Sequence, residues 1–180
     1  MTLKDVIRQH LSQMDAKKSK NKALPIHQKR ILEEGPLVKK EGATRHFCTF
    51  FVPIHIPSRS IYLGHHIKAD DWIPPGGHIE MGELPLDTVK REMLEELQHK
   101  ITDEKIIFFN ISHKVINRPE QRCMEHFDLW HTVEMNNMPN FVFERKEYYD
   151  AGWFPIDEAL SKIKKNDDFK EVLASIFDRI

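Results

Sequence analysis

The chain has 180 residues, of which 40% are hydrophobic and 31% are charged, with only 7 Gly and 10 Pro. This composition excludes a disordered, collagen-like or low-complexity protein, and the length is typical of one domain with an appendage. No apolar run approaches the roughly eighteen residues of a membrane span, and the N-terminus lacks the apolar segment of a secretory signal. Cys48 and Cys123 have no metal-binding or redox spacing, so we expect free thiols in a cytoplasmic protein, with a disulfide between them as the alternative.

The net charge of −1 gives no general argument for nucleic-acid binding. Its distribution is uneven, because residues 1–40 contain ten Lys and Arg against four Asp and Glu, a net of +6, and the remainder carries −7. We predict that residues 1–40 form a basic, helical extension and that 41–180 form the main domain. We expect the basic charge to be solvated surface, with contact to an anionic substrate or nucleic acid as the alternative.

In chain order, residues 3–14 place apolar side chains at helical spacing, and after a polar break at 17–22 a second short helix is predicted at 26–34. Residues 45–56 and 60–67 predict a β-hairpin with a turn at 57–60, and 70–80 predict a loop rich in Pro and Gly. A helix is predicted at 85–99, strands at 105–116 and 125–135, one or two further strands within 141–154, and helices to the C-terminus. This interleaving predicts the α/β (α+β) class with a mixed sheet.

The predicted helix at 85–99 carries three carboxylates on one face. At about 100° per residue, Glu92, Glu95 and Glu96 fall within an arc of roughly 100°. We expect a different arc to pack against the sheet, formed by Leu86, Val89, Met93, Leu94 and Leu97. Such an acidic face is either solvated or a site for a hard divalent cation such as Mg²⁺ or Mn²⁺, which prefer oxygen ligands. The preceding pair Gly76-Gly77 favours the cation site, since glycine lets the backbone come close to a ligand.

The spacing of these residues resembles the Nudix box, G-x5-E-x7-R-E-U-x-E-E-x-G-U, where U is a bulky apolar residue. Gly77, Glu83 and the run Arg91 to Glu96 fall on its fixed positions. Residues 72–77 also resemble the family's W-x-x-P-G-G approach, and 147–154 resemble its closing strand. The resemblance covers about 42–164 and implies a Nudix-like α/β/α sandwich with a mixed sheet and a helical N-terminal extension.

The resemblance also implies an activity, namely metal-dependent hydrolysis of a pyrophosphate bond in a nucleoside diphosphate linked to another moiety, with Mg²⁺ or Mn²⁺ as cofactor. It implies that Glu92, Glu95 and Glu96 bind the metal and that one of them is the general base. Arg91 is expected to anchor Glu83. The Gly76 carbonyl and Glu147, which lies outside the box, are further candidate ligands.

Substrate contacts are predicted from position alone. Candidate substrate-binding residues are Arg45, His78, His126, Asp128 and Trp130, with Lys68 and Arg122 as further cations for an outer phosphate. Trp130 or Phe127 is a candidate for stacking on a base. The chain has eleven His, but because no tetrahedral Cys/His spacing is present, we do not expect a zinc site.

The box departs from the family at its end, where Gln98 and His99 replace Gly and an apolar residue. That Gly normally ends the helix in a left-handed conformation, so we expect Gln98 either to cost about 1 kcal/mol there or to let the helix run on to about residue 100. The alternative function is therefore a non-catalytic nucleotide-binding or regulatory module. Isomerase chemistry lacks support, since no cysteine lies near the acidic helix in the sequence. We expect a small-molecule nucleotide partner rather than a membrane or nucleic acid, and leave a homodimer open.

Overall fold

The computed structural model describes residues 1–16, 21–116 and 122–179. The helices are α1 (Leu3–Ala16), α2 (Leu24–Leu32), α3 (Pro85–Leu97), α4 (Ile156–Lys162), α5 (Asp167–Ala174) and α6 (Ile176–Arg179), with a 3₁₀ turn at Lys39–Glu41. The strands are β1 (Arg45–His55), β2 (Ser60–His66), β3 (Asp71–Ile73), β4 (Gly76–His78), β5 (Lys105–Val115), β6 (Glu125–Glu134) and β7 (Tyr148–Pro155). Most of the polar break predicted at 17–22 lies outside the described residues.

These strands form one mixed sheet, which confirms the predicted fold class. Strands β3, β2, β1, β6 and β5 lie side by side in that order, while β4 pairs with β1 and β7 pairs with β2. Strands β1 and β6 are parallel, with Arg45 opposite Glu125, and the other pairings are antiparallel. Because side chains alternate along a strand, the sheet presents two faces, each of which can bury an apolar layer.

Both faces are covered by helices, as in an α/β/α sandwich. On one face, the helices α1 and α2 pack near Phe47 and Phe127, and α3 packs near Phe51 and Val133. On the other face, α4, α5 and α6 bury a core around Trp130. Within the described ranges, no helix has the combination of length and apolar character that crossing a bilayer requires.

Helices α1 and α2 share a hydrophobic core with the sheet. Ile7, Leu11 and Met14 are at most 2% exposed and pack in the same cluster as Phe47 and Phe127. Burying three such side chains contributes several kcal/mol, at roughly 1.5–3 kcal/mol each. The basic extension is therefore packed on the sheet, while the division of the chain at 40/41 stays a prediction.

The segment 70–80 differs from the predicted loop, because it contains the short strands β3 and β4. Strand β1 pairs with β2 only at Ile54 and His55, which leaves the edge of its first half free. Strand β4 occupies that edge, with Thr49 opposite Gly77 and Phe50 opposite Gly76. The sequence did not predict this pairing, because the segment is rich in Pro and Gly, which are depleted in strands.

Candidate active site

Two of the three helix glutamates are buried. Glu92 is 9% and Glu96 is 7% exposed, whereas the Glu95 side chain is 58% exposed. The expectation that Leu86 and Leu94 pack against the sheet is wrong, since they are 42% and 52% exposed. Relative to that expectation, helix α3 is rotated about its axis, so that Glu92 and Glu96 face β4. Val89, Met93 and Leu97 are buried.

The glycine pair in β4 makes room for the two buried carboxylates. A Cβ atom on Gly77 would lie 2.0 Å from Glu92 Oε1, and one on Gly76 would lie 2.4 Å from the Thr49 carbonyl oxygen. Gly76 also has φ +153° and donates its N–H to Glu96 Oε2 at 3.1 Å. Position 76 therefore requires glycine, because any side chain there would displace the strand, and a side chain at position 77 would displace the Glu92 carboxylate.

Arg91 links the loop before α3 to the acidic cluster. Its guanidinium donates to both carboxylate oxygens of Glu83, at 2.7 and 3.1 Å. It also donates to Glu92 at 2.8 Å, to Glu95 at 3.1 Å and to the His78 carbonyl at 3.1 Å. Such charge-assisted bonds fix both partners in orientation, so Arg91 holds β4, the loop and the helix in one arrangement.

The electrostatics of the cluster favour a bound cation. Burial, followed by the neighbouring Glu92 carboxylate, raises the pKa of Glu96 to about 8, although the Tyr148 hydroxyl donates to Glu96 Oε2 at 2.8 Å and opposes this rise. Burial also raises the pKa of Glu92. Within the described residues, Arg91 contacts Glu92 but makes no hydrogen bond or ion pair with Glu96, so the charge of the two buried carboxylates is incompletely compensated. A hard divalent cation with oxygen ligands would complete the balance.

Glu147 lies beside this cluster at the start of β7. Its charge contributes to the raised pKa of Glu96, and its side chain is 31% exposed. The Lys68 ammonium lies 3.4 Å from Glu147 Oε1 and the His66 ring nitrogen 3.5 Å from Oε2. The donor set of Glu92, Glu95, Glu96 and Glu147 consists of oxygens alone, which fits Mg²⁺ or Mn²⁺.

Gln98 preserves the end of the helix. It adopts the left-handed conformation, with φ 50° and ψ 32°, and donates its N–H to the Met93 carbonyl. Of the two expected outcomes, the structure therefore shows the strained cap rather than a longer helix. The glutamates of α3 keep their positions, because the geometry that a glycine would provide is retained.

Except for Lys68, the other candidate cations lie away from the acidic cluster. Arg45 binds Glu33 at 2.7 Å and Glu125 at 2.9 Å, so two carboxylates already hold its charge. Arg122 lines a cavity beside His78. Of the candidate cations, only Lys68 is seen next to a glutamate of the acidic cluster within the described residues.

The aromatic candidates on β6 are part of the core. Trp130 is fully buried and stacks on Phe50 with ring centroids 4.8 Å apart. Phe127 is also fully buried, on the opposite face of the sheet. Neither ring is available to stack on a base, because a ten-residue strand between two helical layers exposes neither face. Asp128 is 1% exposed and accepts a hydrogen bond from Ser112 at 2.7 Å.

His78 and His126 meet in a separate cluster on the other face of the sheet from α3. Burial lowers the pKa of each to about 3, so both rings are neutral at physiological pH. His46 and Cys123 complete this cluster. Sequence reasoning did not single out His46 in β1 or the contact of Tyr148 with Glu96. No local spacing marks either residue, and strand register alone could have placed His46 beside His126.

The comparisons with known proteins agree with this geometry. The sequence matches the NUDIX domain family over residues 49–176. Similar solved structures include the E. coli dihydroneopterin triphosphate pyrophosphohydrolase, with 15% identity, TM-score 0.66 and coverage of 74% of this chain and 96% of that one. A Bacillus halodurans MutT protein has 21% identity and TM-score 0.58, with 73% and 81% covered. A C. elegans Ap4A hydrolase has 16% identity and TM-score 0.54, with 71% and 93% covered.

A search of curated proteins found no match. The family match spans more than half of the chain, and the structural similarities show the same fold. The chain therefore belongs to the Nudix family, and it is an enzyme of the pyrophosphohydrolase type that acts on nucleoside diphosphate derivatives.

Proposed function

We propose that this protein is a hydrolase dependent on Mg²⁺ or Mn²⁺ that cleaves the pyrophosphate bond of a nucleoside diphosphate linked to another moiety. The observation that carries the proposal is the convergence of Glu92 and Glu96, both buried, on the glycine pair of β4. Carboxylates are buried in this way when a cation or a hydrogen-bond network compensates them. Here one carboxylate oxygen of Glu96 has two donors, and the cluster as a whole is acidic.

In this proposal, Glu92, Glu95 and Glu96 hold the cation, with the Gly76 carbonyl and Glu147 as further ligands. Such a cation supplies charge neutralisation at the phosphate oxygens and lowers the pKa of water bound to it. The protein supplies the positions of these groups. Arg91 fixes Glu92 and Glu95 through the bonds described above, and Tyr148 and the Gly76 N–H orient Glu96.

The reaction consumes one water molecule. Its oxygen attacks one phosphorus of the pyrophosphate bridge, the bond from that phosphorus to the bridging oxygen breaks, and two phosphate-containing products leave. One of the helix glutamates accepts the proton of the attacking water. Glu95 is the exposed member of the set, so we expect a solvated polyphosphate to approach the cluster from its side. We infer that Lys68, which lies next to Glu147 and is 68% exposed, contacts an outer phosphate.

The activities named for two similar structures support the choice of substrate class. One is a pyrophosphohydrolase of dihydroneopterin triphosphate and another is an Ap4A hydrolase. Both substrates contain phosphoanhydride bonds in a polyphosphate chain that is attached, through a carbon linker, to a heterocyclic group, so a panel built on such compounds is a suitable first test. Both cysteines of this chain are buried and free, which fits a reducing compartment such as the cytoplasm.

The test is a hydrolysis screen with purified full-length protein. Dinucleoside polyphosphates, nucleotide sugars and nucleoside triphosphates are incubated with Mg²⁺, with Mn²⁺, or with EDTA, and products are separated by chromatography. We expect two phosphate-containing products from at least one class, in the presence of either cation and not with EDTA. Folded protein that releases no product from any class would contradict the proposal, and equal turnover with EDTA would contradict the metal dependence.

A further inference from the structure

Three imidazole rings meet on the face of the sheet opposite α3. The ring centroids of His46 and His78 are 4.8 Å apart, those of His46 and His126 are 4.8 Å apart, and those of His78 and His126 are 5.4 Å apart. The rings come from three neighbouring strands, since β1 lies between β4 and β6. His46 is directly opposite His126 in the parallel pair β1–β6.

A thiol completes this group. One ligand atom each from His46, His78, His126 and Cys123 lies within 4.8 Å of all the others. Four ligands around a tetrahedral zinc ion are separated by about 3.3–3.8 Å, given Zn–N and Zn–S bonds of roughly 2.0–2.3 Å. Cys123 is held near β1 because the next residue, Met124, donates its N–H to the Thr44 carbonyl at 2.7 Å. Small side-chain movements would therefore bring the four atoms to bonding positions.

The histidines also have buried nitrogen atoms that lack partners. The Nε2 atoms of His46, His78 and His126 are buried and have no hydrogen-bond partner among the described residues. His46 is fully buried, and its Nδ1 lies 3.0 Å from the Ala43 carbonyl oxygen. Since a carbonyl oxygen only accepts, Nδ1 carries the proton and the lone pair is on Nε2. A backbone carbonyl that fixes the opposite ring nitrogen is typical of histidines that bind metals.

We propose that His46, His78, His126 and Cys123 form a zinc-binding site, separate from the glutamate cluster, that joins β1, β4 and β6. Three imidazoles and one thiolate are nitrogen and sulfur donors, which select zinc over the hard cations that oxygen ligands select. An access route exists, because a cavity of about 460 Å³ lined by His78, Ala43 and Thr44 lies beside the group. The site does not rest on the proposed function.

The bound zinc would act structurally, with all four positions filled by protein. Strand β4 is three residues long and carries both the glycine pair and His78. Tying His78 to His46 and His126 would hold β4 in register against β1, and thereby hold Gly76 and Gly77 under α3. We therefore expect zinc to stabilise the fold of this strand rather than to take part in hydrolysis.

The test measures metal binding directly. Full-length protein freed of metal is titrated with Zn²⁺ against a chelator of known affinity, in excess Mg²⁺ so that oxygen sites are occupied. The same protein loaded with Co²⁺ is examined by absorption spectroscopy. We expect one Zn²⁺ per chain, a higher melting temperature with Zn²⁺, tetrahedral Co²⁺ bands and a thiolate-to-cobalt charge-transfer band.

Variants identify the ligands. Cys123→Ser should abolish the charge-transfer band, and both it and His126→Gln should weaken zinc binding by at least about 100-fold. His65→Gln, on a partly exposed ring of β2, should retain full binding. If His126→Gln does not fold, Cys123→Ser decides the matter alone, because it is nearly isosteric.

Two outcomes would overturn the zinc site. The first is less than a stoichiometric amount of zinc in folded wild-type protein. The second is unchanged binding in Cys123→Ser and His126→Gln. Since binding is measured without substrate, loss of zinc binding and absence of hydrolysis are separate results.

Discussion

Strand β4 has different donor chemistry on its two sides. Gly77 faces α3, where the missing side chain is replaced by the carboxylate of Glu92. The next residue, His78, faces the opposite side and meets His46 and His126. Successive side chains of a strand alternate between its faces. The three residues of β4 therefore lie between the glutamate cluster on one face and the histidine cluster on the other. Each face therefore suits a different class of cation.

The largest expected effect is on the free energy of unfolding of the cation-free protein, through the buried carboxyl group of Glu96. Between about pH 4.5 and 8, folded Glu96 keeps a proton that the unfolded chain has lost, so its contribution to stability falls as pH rises through this window. We expect Glu96→Gln in EDTA to be more stable than wild type near pH 8, by on the order of 4 kcal/mol, and to show little difference near pH 4.5. Urea unfolding at each pH measures this. A difference that does not change with pH would contradict the raised pKa of Glu96.

Adding a side chain at Gly77 separates the two sides of β4. Its Cβ would lie 2.0 Å from Glu92 Oε1, so we expect Gly77→Ala to displace that carboxylate and to lower kcat by roughly 100-fold. Gly152→Ala is the control, because its Cβ would meet Phe154 at an ordinary 3.6 Å. Zinc binding should stay intact in both variants. Equal kcat in Gly77→Ala and the control would show that Glu92 need not lie against β4.

The tyrosine on β7 offers a finer test of the acidic cluster. Tyr148→Phe removes the hydroxyl that donates to Glu96 at 2.8 Å, and this loss raises the pKa of Glu96 further. We expect about a 10-fold lower rate near neutral pH, with the acid limb of the pH–rate profile moved to higher pH. Tyr149→Phe, at a side chain 62% exposed, should match wild type. A profile of unchanged shape for Tyr148→Phe would rule out this coupling.

The end of α3 should give the smallest effect. Gln98 has φ 50°, in the region that favours glycine. We expect Gln98→Gly to raise the free energy of unfolding by about 1 kcal/mol while the hydrolysis rate is unchanged. Gln98→Ala keeps the strain and should bring no gain. If glycine brings no gain either, the left-handed cap is not strained.

The glutamate cluster on one side of β4 could be predicted from the sequence, whereas the histidine cluster on the other side could not. Three glutamates within five residues of one helix share a face by helical geometry alone, and the box spacing adds Glu83 and Arg91. The group of three histidines and Cys123 could not be predicted from local spacing. Its four members come from separate segments, and only the register of β1, β4 and β6 brings them together. The same limitation applies to Trp130, whose burial depends on the packing of α5 against the sheet.

The fold shows the same contrast between local and long-range signals. The hairpin at 45–66, the helix of the box and the two long strands β5 and β6 follow from their own periodicity. Strand β4 does not, since its three residues become a strand only because β1 leaves an edge free. The rotation of α3 that exposes Leu94 likewise depends on the absence of side chains at Gly76 and Gly77, a feature of another segment.

The most direct measurement is the initial rate of phosphoanhydride hydrolysis as a function of Mg²⁺ concentration, for wild type, Glu96→Gln and Glu158→Gln. Glu158 is an exposed acid on α4, and its variant controls for the loss of one negative charge. The proposed function predicts saturable activation by Mg²⁺ in wild type and Glu158→Gln, and a rate at least about 100-fold lower in folded Glu96→Gln. A Glu96→Gln rate equal to that of the control, at every Mg²⁺ concentration, would contradict the assignment of the buried glutamates as the cation site.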